Sequence, residues 1–468
     1  RRANRADSTR ILRGRSAARR TFLRQPRLKA ATESPGALIY GFLLLIVIGT
    51  GLLMLPVASA EGQATGVGDA LFTATSAVCV TGLVVVPTGD YWSGFGQAVI
   101  LALIQVGGFG FMAGVTLILL AFGQAVGLQQ RLMLERSMGQ GRTGGLLTLV
   151  RRLALFTIAA EGLGLLVFFV RFCERQTPLE AAWYALFHTV SSFNNAGFDI
   201  FGGFTSLQPF EGDPVTVLVT AVLIILGGIS FVVLQDVLKY RRFGRLAFDS
   251  KIVLATTGAL LFLGTVVILG TETLNASTLG TMAWPERILG AFFHSVTSRT
   301  AGFSTVDTSA MAAHSLLFTM FLMFVGGAVG STAGGIKVNT FGLLVATMVG
   351  TLRGRQHPGA FGREFTDPQV RRALTVVFLS LGLVLATTFC LSLSEGLPLL
   401  SLLFESVSAF GTVGLTTGVT PDLSPVGKLV ITLTMFAGRL GPLTLVAGLL
   451  KEQMPLRYRL PTDTVRMG

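Results

Sequence analysis

Charged side chains are scarce in this chain: they make up 13% of its 468 residues, against 51% that are hydrophobic. A water-soluble protein carries about a quarter charged residues, so the shortage excludes an ordinary soluble domain and points to a chain largely immersed in lipid. Cysteine is equally sparse. Cys79, Cys173 and Cys390 lie in or beside apolar segments, at spacings that match neither a zinc site nor a disulfide framework, and all three are expected to be free thiols. No phosphate-binding loop, phosphorylated-aspartate motif or catalytic cluster is visible, which argues against an enzyme. No small-residue cleavage signal adjoins the first apolar run, so residues 1–35 read as a basic cytoplasmic tail and not as a signal peptide.

What the chain has instead is apolar length and glycine: mean hydropathy is +0.67, and 57 residues are glycine. Runs of about 20 apolar residues cross a hydrocarbon core about 30 Å thick. Spans are expected over 38–57, 94–122, 152–172, 215–238, 252–270, 315–349, 373–393 and 426–450. Shorter segments at 69–78, 179–193, 285–298 and 398–410 are too short to cross and suit re-entrant helices. The expected fold class is therefore an all-α membrane protein with eight transmembrane helices and four re-entrant pore helices. It divides into a tail (1–35), four units (36–125, 148–240, 250–350 and 370–450) and a C-terminal tail (451–468).

Charge sidedness gives this topology an orientation. The net charge of +13 is concentrated: the two tails and the loops after the first three units hold 30 of the 37 Lys and Arg. The four intervening segments hold four, with fourteen acids, among them Asp69, Asp90, Asp199, Asp213, Asp307 and Asp422. Basic loops mark the cytoplasmic side of a membrane protein, so the re-entrant segments open outward and both termini are cytoplasmic. This distribution argues for a lipid bilayer as the partner of the basic residues and against nucleic acid. The outer acids raise the local cation concentration, although each by itself also reads as a solvated loop residue.

One glycine recurs in register. Cys79-Val80-Thr81-Gly82-Leu83, Asn194-Asn195-Ala196-Gly197-Phe198, Arg299-Thr300-Ala301-Gly302-Phe303 and Gly411-Thr412-Val413-Gly414-Leu415 align on glycines separated by 115, 105 and 112 residues. A Phe (Phe72, Phe187, Phe292, Phe404) stands ten residues before each, followed by a Ser/Thr-rich turn. The third copy is one residue shorter between His294 and Gly302 than the second is between His188 and Gly197, as a local helix adjustment would produce. One such glycine serves a turn or close helix packing. Four in register suggest strands that turn backbone carbonyls toward a desolvated cation, which requires glycine dihedrals. The fourth strand resembles the filter of potassium channels. The candidate cation-binding residues are Val80, Thr81, Gly82, Asn195, Ala196, Gly197, Thr300, Ala301, Gly302, Thr412, Val413 and Gly414, contributing backbone carbonyls only.

The second span of each unit carries a further repeat: Gly107-Gly108, Gly227-Gly228, Gly326-Gly327 and Gly438-Arg439, which lie 25, 30, 24 and 24 residues after the filter glycines. Together with Phe193 to Phe198, Arg299 to Phe303 and the run Gly330-Ser331-Thr332-Ala333-Gly334-Gly335-Ile336-Lys337, these motifs make residues 38–450 resemble the Trk/Ktr/HKT superfamily of potassium transporters, and the Ktr-type (KtrB-like) membrane subunit in particular. The resemblance implies a potassium-uptake subunit of the bacterial plasma membrane, with K+ conducted passively and Na+ possible as an activator. It further implies a homodimer with one pore per chain, and a cytoplasmic ring of nucleotide-binding regulatory subunits (KtrA/TrkA-like). No organic cofactor is expected on this chain. Gly82 is glycine where sodium-transporting plant relatives carry serine, which favours potassium.

By the same resemblance, Gly326, Gly327, Gly330, Ser331, Thr332, Gly334 and Gly335 form an intramembrane gating loop. The residues alone leave a small-residue packing face open. Five glycines in ten residues nevertheless sacrifice helix propensity, and irregular backbone survives at membrane depth where it lines a cavity. Arg439, deep in the last span, is expected either to face the axis as part of the gate or to pair with Glu161. Lys337 is expected to bond freed carbonyls or to snorkel. Gln105 lines the pore or bridges helices, and His188 and His294 read as structural. A secondary transporter coupling K+ to Na+ or H+ through Glu161 is the alternative function.

Overall fold

The computed structural model describes residues 35–123, 144–355 and 357–441. The N-terminal tail up to residue 34, the basic loop 124–143, the end of the span expected to reach 450 and the C-terminal tail lie outside the described residues. Fifteen α-helices make up most of these described residues. Several begin at caps legible in the sequence. The helix Pro178–Phe193 starts behind a capping box formed by Thr177 and Glu180. Asp213 accepts from the Val215 N–H at the start of the helix Pro214–Gly228, and Ser424 caps the helix Pro425–Leu440.

The helices fall into four groups in chain order. The first comprises α1 (Pro35–Leu53), α2 (Val67–Val78), the single turn α3 (Thr88–Tyr91) and α4 (Gly94–Gly123). The second comprises α5 (Gly144–Phe172), α6 (Pro178–Phe193), α7 (Pro214–Gly228) and α8 (Phe231–Tyr240). The third comprises α9 (Phe248–Glu272), α10 (Trp284–Thr297), α11 (Ala313–Phe324) and α12 (Val338–Leu352). A two-stranded hairpin, β1 (Gly359–Ala360) and β2 (Arg363–Glu364), leads to the fourth: α13 (Asp367–Ser394), α14 (Leu399–Gly411) and α15 (Pro425–Leu440).

Each short helix α2, α6, α10 and α14 packs against the long helix before it. Each also packs against a helix of the preceding group: α6 on α4, α10 on α7, α14 on α11, and α2 on α15, which brings the first and fourth groups together. The last of these contacts carries an ion pair, Lys428 Nζ to Asp69 Oδ1 at 2.8 Å. The short helices end in fully buried residues, while the outer helices keep large apolar side chains such as Leu166, Phe262 and Phe378 exposed, as a lipid-facing surface requires.

Among the described residues, Val150–Phe172, Phe248–Glu272 and Asp367–Ser394 are each long and apolar enough to cross a bilayer. Two expected spans are not continuous helices. The span expected over 215–238 breaks after Gly228, and α8 leaves α7 at 100°. The span expected over 315–349 is helical only as α11 and α12, with residues 325–337 irregular between them. The breaks satisfy each other: the Gly227 and Gly228 carbonyls freed at the end of α7 accept from the N–H groups of Thr332 (3.2 Å) and Ala328 (3.0 Å). Buried backbone groups must be paired, and these two interruptions pair across the interior.

Candidate functional site

The strands that follow α2, α6, α10 and α14 meet at one place. A β-carbon placed on Gly82 would lie 2.4 Å from the Ala196 carbonyl oxygen, one on Gly197 2.6 Å from that of Ala301, one on Gly302 2.3 Å from that of Val413, and one on Gly414 2.4 Å from that of Thr81. The four contacts close a circuit in which each glycine backs onto the next strand's carbonyl. All four glycines have positive φ, from 71° to 94°. Two residues earlier, Val80, Asn195, Thr300 and Thr412 also have positive φ, from 49° to 77°, which is strained for side-chain-bearing residues. The fourfold repetition of this backbone shape means that the surrounding helices impose it.

Hydroxyl groups in the last turn of the short helices hold the strands. The Ser/Thr clusters that carry them fall inside the short segments expected as re-entrant helices. Ser76 Oγ accepts from the Gly82 N–H, and Ser408 Oγ accepts from the Gly414 N–H, both at 3.1 Å. Ser191 and Thr297 instead donate to the carbonyls of Phe198 and Phe303, both at 2.7 Å. Thr297 stands five residues before its glycine where the other three stand six. The buried aromatic of the third group is correspondingly Phe293, fully enclosed, and not Phe292, which is half-buried. The third strand is one residue short, and its helix advances by one residue to compensate. Sequence reasoning missed the anchoring role of these four hydroxyls, although their recurrence at a nearly fixed offset was the available signal.

Buried oxygens without a hydrogen-bond partner surround the circuit: Thr81 Oγ1, Thr412 Oγ1 and Asn195 Oδ1, with Thr332 Oγ1 in the irregular stretch. A buried polar atom left unpaired is costly, and oxygen donors of this kind suit an alkali cation. Among the described residues no group of His, Cys, Asp and Glu could hold a metal ion. His188 and His294 lie in α6 and α10: His188 Nδ1 bonds the Tyr184 carbonyl at 2.8 Å, and His294 Nε2 bonds Thr319 Oγ1 at 3.0 Å.

The irregular stretch is buried against the strands. A β-carbon on Gly334 would meet Thr412 Oγ1 at 2.2 Å, and one on Gly335 would meet the Gly411 Cα at 3.3 Å. Gly330 and Gly335 have positive φ, and Gly327 lies against the Gly228 carbonyl. Ser331 donates to Ala328 O at 2.7 Å. Three cationic side chains donate to carbonyls of this stretch. Arg299 Nη2 bonds Gly326 O at 3.0 Å. Lys337 Nζ bonds Ala333 O and Gly334 O. Arg439 Nη1 bonds Thr332 O, and its Nη2 reaches Gly107 O at 3.3 Å. Arg439 is 1% exposed. Glu161, the partner Arg439 would have under the alternative to a gate role, accepts from Gln105 Nε2 and Asn194 Nδ2, both at 3.3 Å. Gln105 therefore bridges α4, α5 and α6. Gly107, Gly227 and Gly438 each face the carbonyl of Val78, Phe193 or Phe410 on a short helix, whereas Gly326 faces Gly334 O, because its helix has already ended at Phe324.

Residues 18–454 match the TrkH family, described as a cation transport protein. The chain is 40% identical over 425 residues to Ktr system potassium uptake protein B of Bacillus subtilis, covering 91% of this chain and 95% of that protein. It is 39% identical over 434 residues to the potassium/sodium uptake protein NtpJ of Enterococcus hirae, covering 92% and 96%. The crystal structure of the potassium transporter TrkH from Vibrio parahaemolyticus superimposes with a TM-score of 0.69 at 19% identity, covering 88% of this chain and 85% of that one, and so shares its fold.

Proposed function

The chain belongs to the TrkH family of cation transport proteins, and from this premise we propose that it is a potassium-uptake membrane subunit that conducts K+ through a filter built by four pseudo-repeated units around one pore. The observation that carries the reading is the closed circuit of Thr81, Ala196, Ala301 and Val413 carbonyls about the four glycines. Carbonyl oxygens replace a cation's hydration shell without covalent chemistry, so passage requires only that binding be balanced against release. Val80, Asn195, Thr300 and Thr412 add their backbone carbonyls to the same strands.

The stretch containing Gly326, Gly327, Gly330, Ser331, Thr332, Gly334 and Gly335 acts as the gate, with Lys337 and Arg439 holding it beneath the filter. Its three cationic tethers and its contact with Thr412 support this role. Family membership supports a homodimer in a bacterial plasma membrane, with cytoplasmic termini and a ring of nucleotide-binding regulatory subunits that acts on the gate. Ion flux into reconstituted vesicles under imposed K+, Na+ and Rb+ gradients tests the proposal. Flux of K+ and Rb+ well above Na+ is expected, and equal passage of all three ions overturns the filter assignment.

A second reading, coupling of K+ to Na+, draws on one specific feature: the intramembrane carboxylate Glu161 touches Asn194, which adjoins the filter residue Asn195. A K+ reversal potential that shifts with an Na+ gradient selects it.

A further inference from the structure

A groove of about 490 Å³ lies between α9 and α12, beyond any contact with the filter. Ala259, Leu263, Phe321 and Ala346 line its apolar length, and Arg353 and Arg355 stand at one end beside the β1–β2 hairpin. Helix α9 is long and apolar enough to cross a bilayer, so this wall of the groove is immersed in lipid. Small residues on the facing helices keep the slot open where bulkier ones would have closed it. Both arginines are exposed, and among the described residues neither side chain makes a hydrogen bond or ion pair. A slot of acyl-chain character that ends at two unpaired guanidinium groups is complementary to one kind of molecule in particular.

We propose that this groove is a binding site for an anionic glycerophospholipid, with its phosphate on Arg353 and Arg355 and an acyl chain along Ala259, Leu263 and Ala346. The guanidinium fork suits phosphate oxygens bidentately. Basic pockets beside membrane helices bind acidic headgroups, with about 1 kcal/mol from each Arg near the surface. Because α12 follows directly on the irregular stretch that ends at Lys337, occupancy of the groove bears on the position of that stretch.

The test uses the full chain purified in detergent, titrated with dioleoyl-phosphatidylglycerol or dioleoyl-phosphatidylcholine and read by native mass spectrometry. The wild-type protein is expected to prefer phosphatidylglycerol, with the preference weakening as ionic strength rises. The double variant R353Q/R355Q should lose about thirtyfold of that preference, and R353K/R355K, which keeps the charge without the fork, should lose less. Ala346→Trp fills the slot and should remove one bound lipid of either kind. Equal affinity of the wild-type chain for the two lipids, or an unchanged preference in R353Q/R355Q, overturns the proposal. So does an Ala346→Cys variant, in a background of Cys173→Ser and Cys390→Ser, that cross-links to a second copy in vesicles, since the groove would then be an interface between chains.

Discussion

The carbonyl circuit and the irregular stretch packed against it are built on opposite principles. The circuit repeats: four glycines, four strained residues two positions before them, and four hydroxyl anchors, each unit backing onto the next. The stretch at 325–337 occurs once, and it is held by three cations that have no fourfold counterparts. Repetition suits a site that must surround a spherical ion evenly. For the gate we propose, tethers that can be released one at a time serve better than four equivalent obstructions, which would each have to move at once. The hydrogen bonds differ in the same way. The strands are fastened by short local bonds within each unit, whereas the stretch, besides Arg299 and Lys337 of its own unit, is fastened across units, by Arg439 from the fourth and by the freed carbonyls of Gly227 and Gly228 from the second.

The sharpest way to break this comparison is Gly302→Ala. The added carbon would sit 2.3 Å from the Val413 carbonyl at a φ of 81°. Left-handed backbone alone costs a non-glycine residue about 1–2 kcal/mol. Rb+ flux into vesicles is expected to fall about a hundredfold, and a variant retaining wild-type flux and selectivity would remove the circuit from the ion path. Arg439→Ala tests the other region. It deletes two charge-assisted bonds, to Thr332 O and Gly107 O, each worth about 1.5–3 kcal/mol. Flux without the regulatory subunit should rise about tenfold, with the K+ over Na+ preference retained; a loss of selectivity with no rise would assign Arg439 to the filter and not to the gate.

The smallest effect is expected outside both regions, at the N-terminal end of α7, and serves as a control. Burial would raise the pKa of Asp213, but the Thr216 hydroxyl, the Val215 N–H and the Arg171 guanidinium together hold it below the usual carboxylate range. A depressed carboxylate contributes its stability above its unfolded pKa, about 3.9, and loses it as pH falls through the lower folded value. The melting temperature should therefore be insensitive to Asp213→Asn between pH 8 and 6 apart from a fixed offset of roughly 1–2 °C. That offset should vanish under strong acid, while filter and gate behaviour stay unchanged.

The four short helices were legible in the sequence to within two residues, because their apolar lengths and the Pro, Thr and Asp residues at their starts are local signals. The breaks in α7 and between α11 and α12 were not equally legible. A Gly-Gly pair ends α7 at Gly228, but Gly107-Gly108 lies within the unbroken α4. The same dipeptide takes either course, depending on whether a partner is at hand for the freed carbonyls. Phe292 was taken as equivalent to Phe72, Phe187 and Phe404 by counting back from Gly302, whereas packing chose Phe293, since a missing residue in the strand is invisible until the strand's end is anchored. Arg299 was counted as a basic residue of an outward-facing segment, and only its reach to Gly326 O reveals it as a tether.

By itself the sequence determined the membrane class, the number and spacing of the short helices, and the glycines on which the strands turn, because hydropathy, length and dihedral freedom act over a few neighbouring residues. Only the tertiary structure decided which strand backs onto which, that Lys428 meets Asp69 across 359 positions, and that Arg439 reaches Gly107 across 332. Such contacts form when four separately specified units close on one another, and no local signal records the partner each will meet.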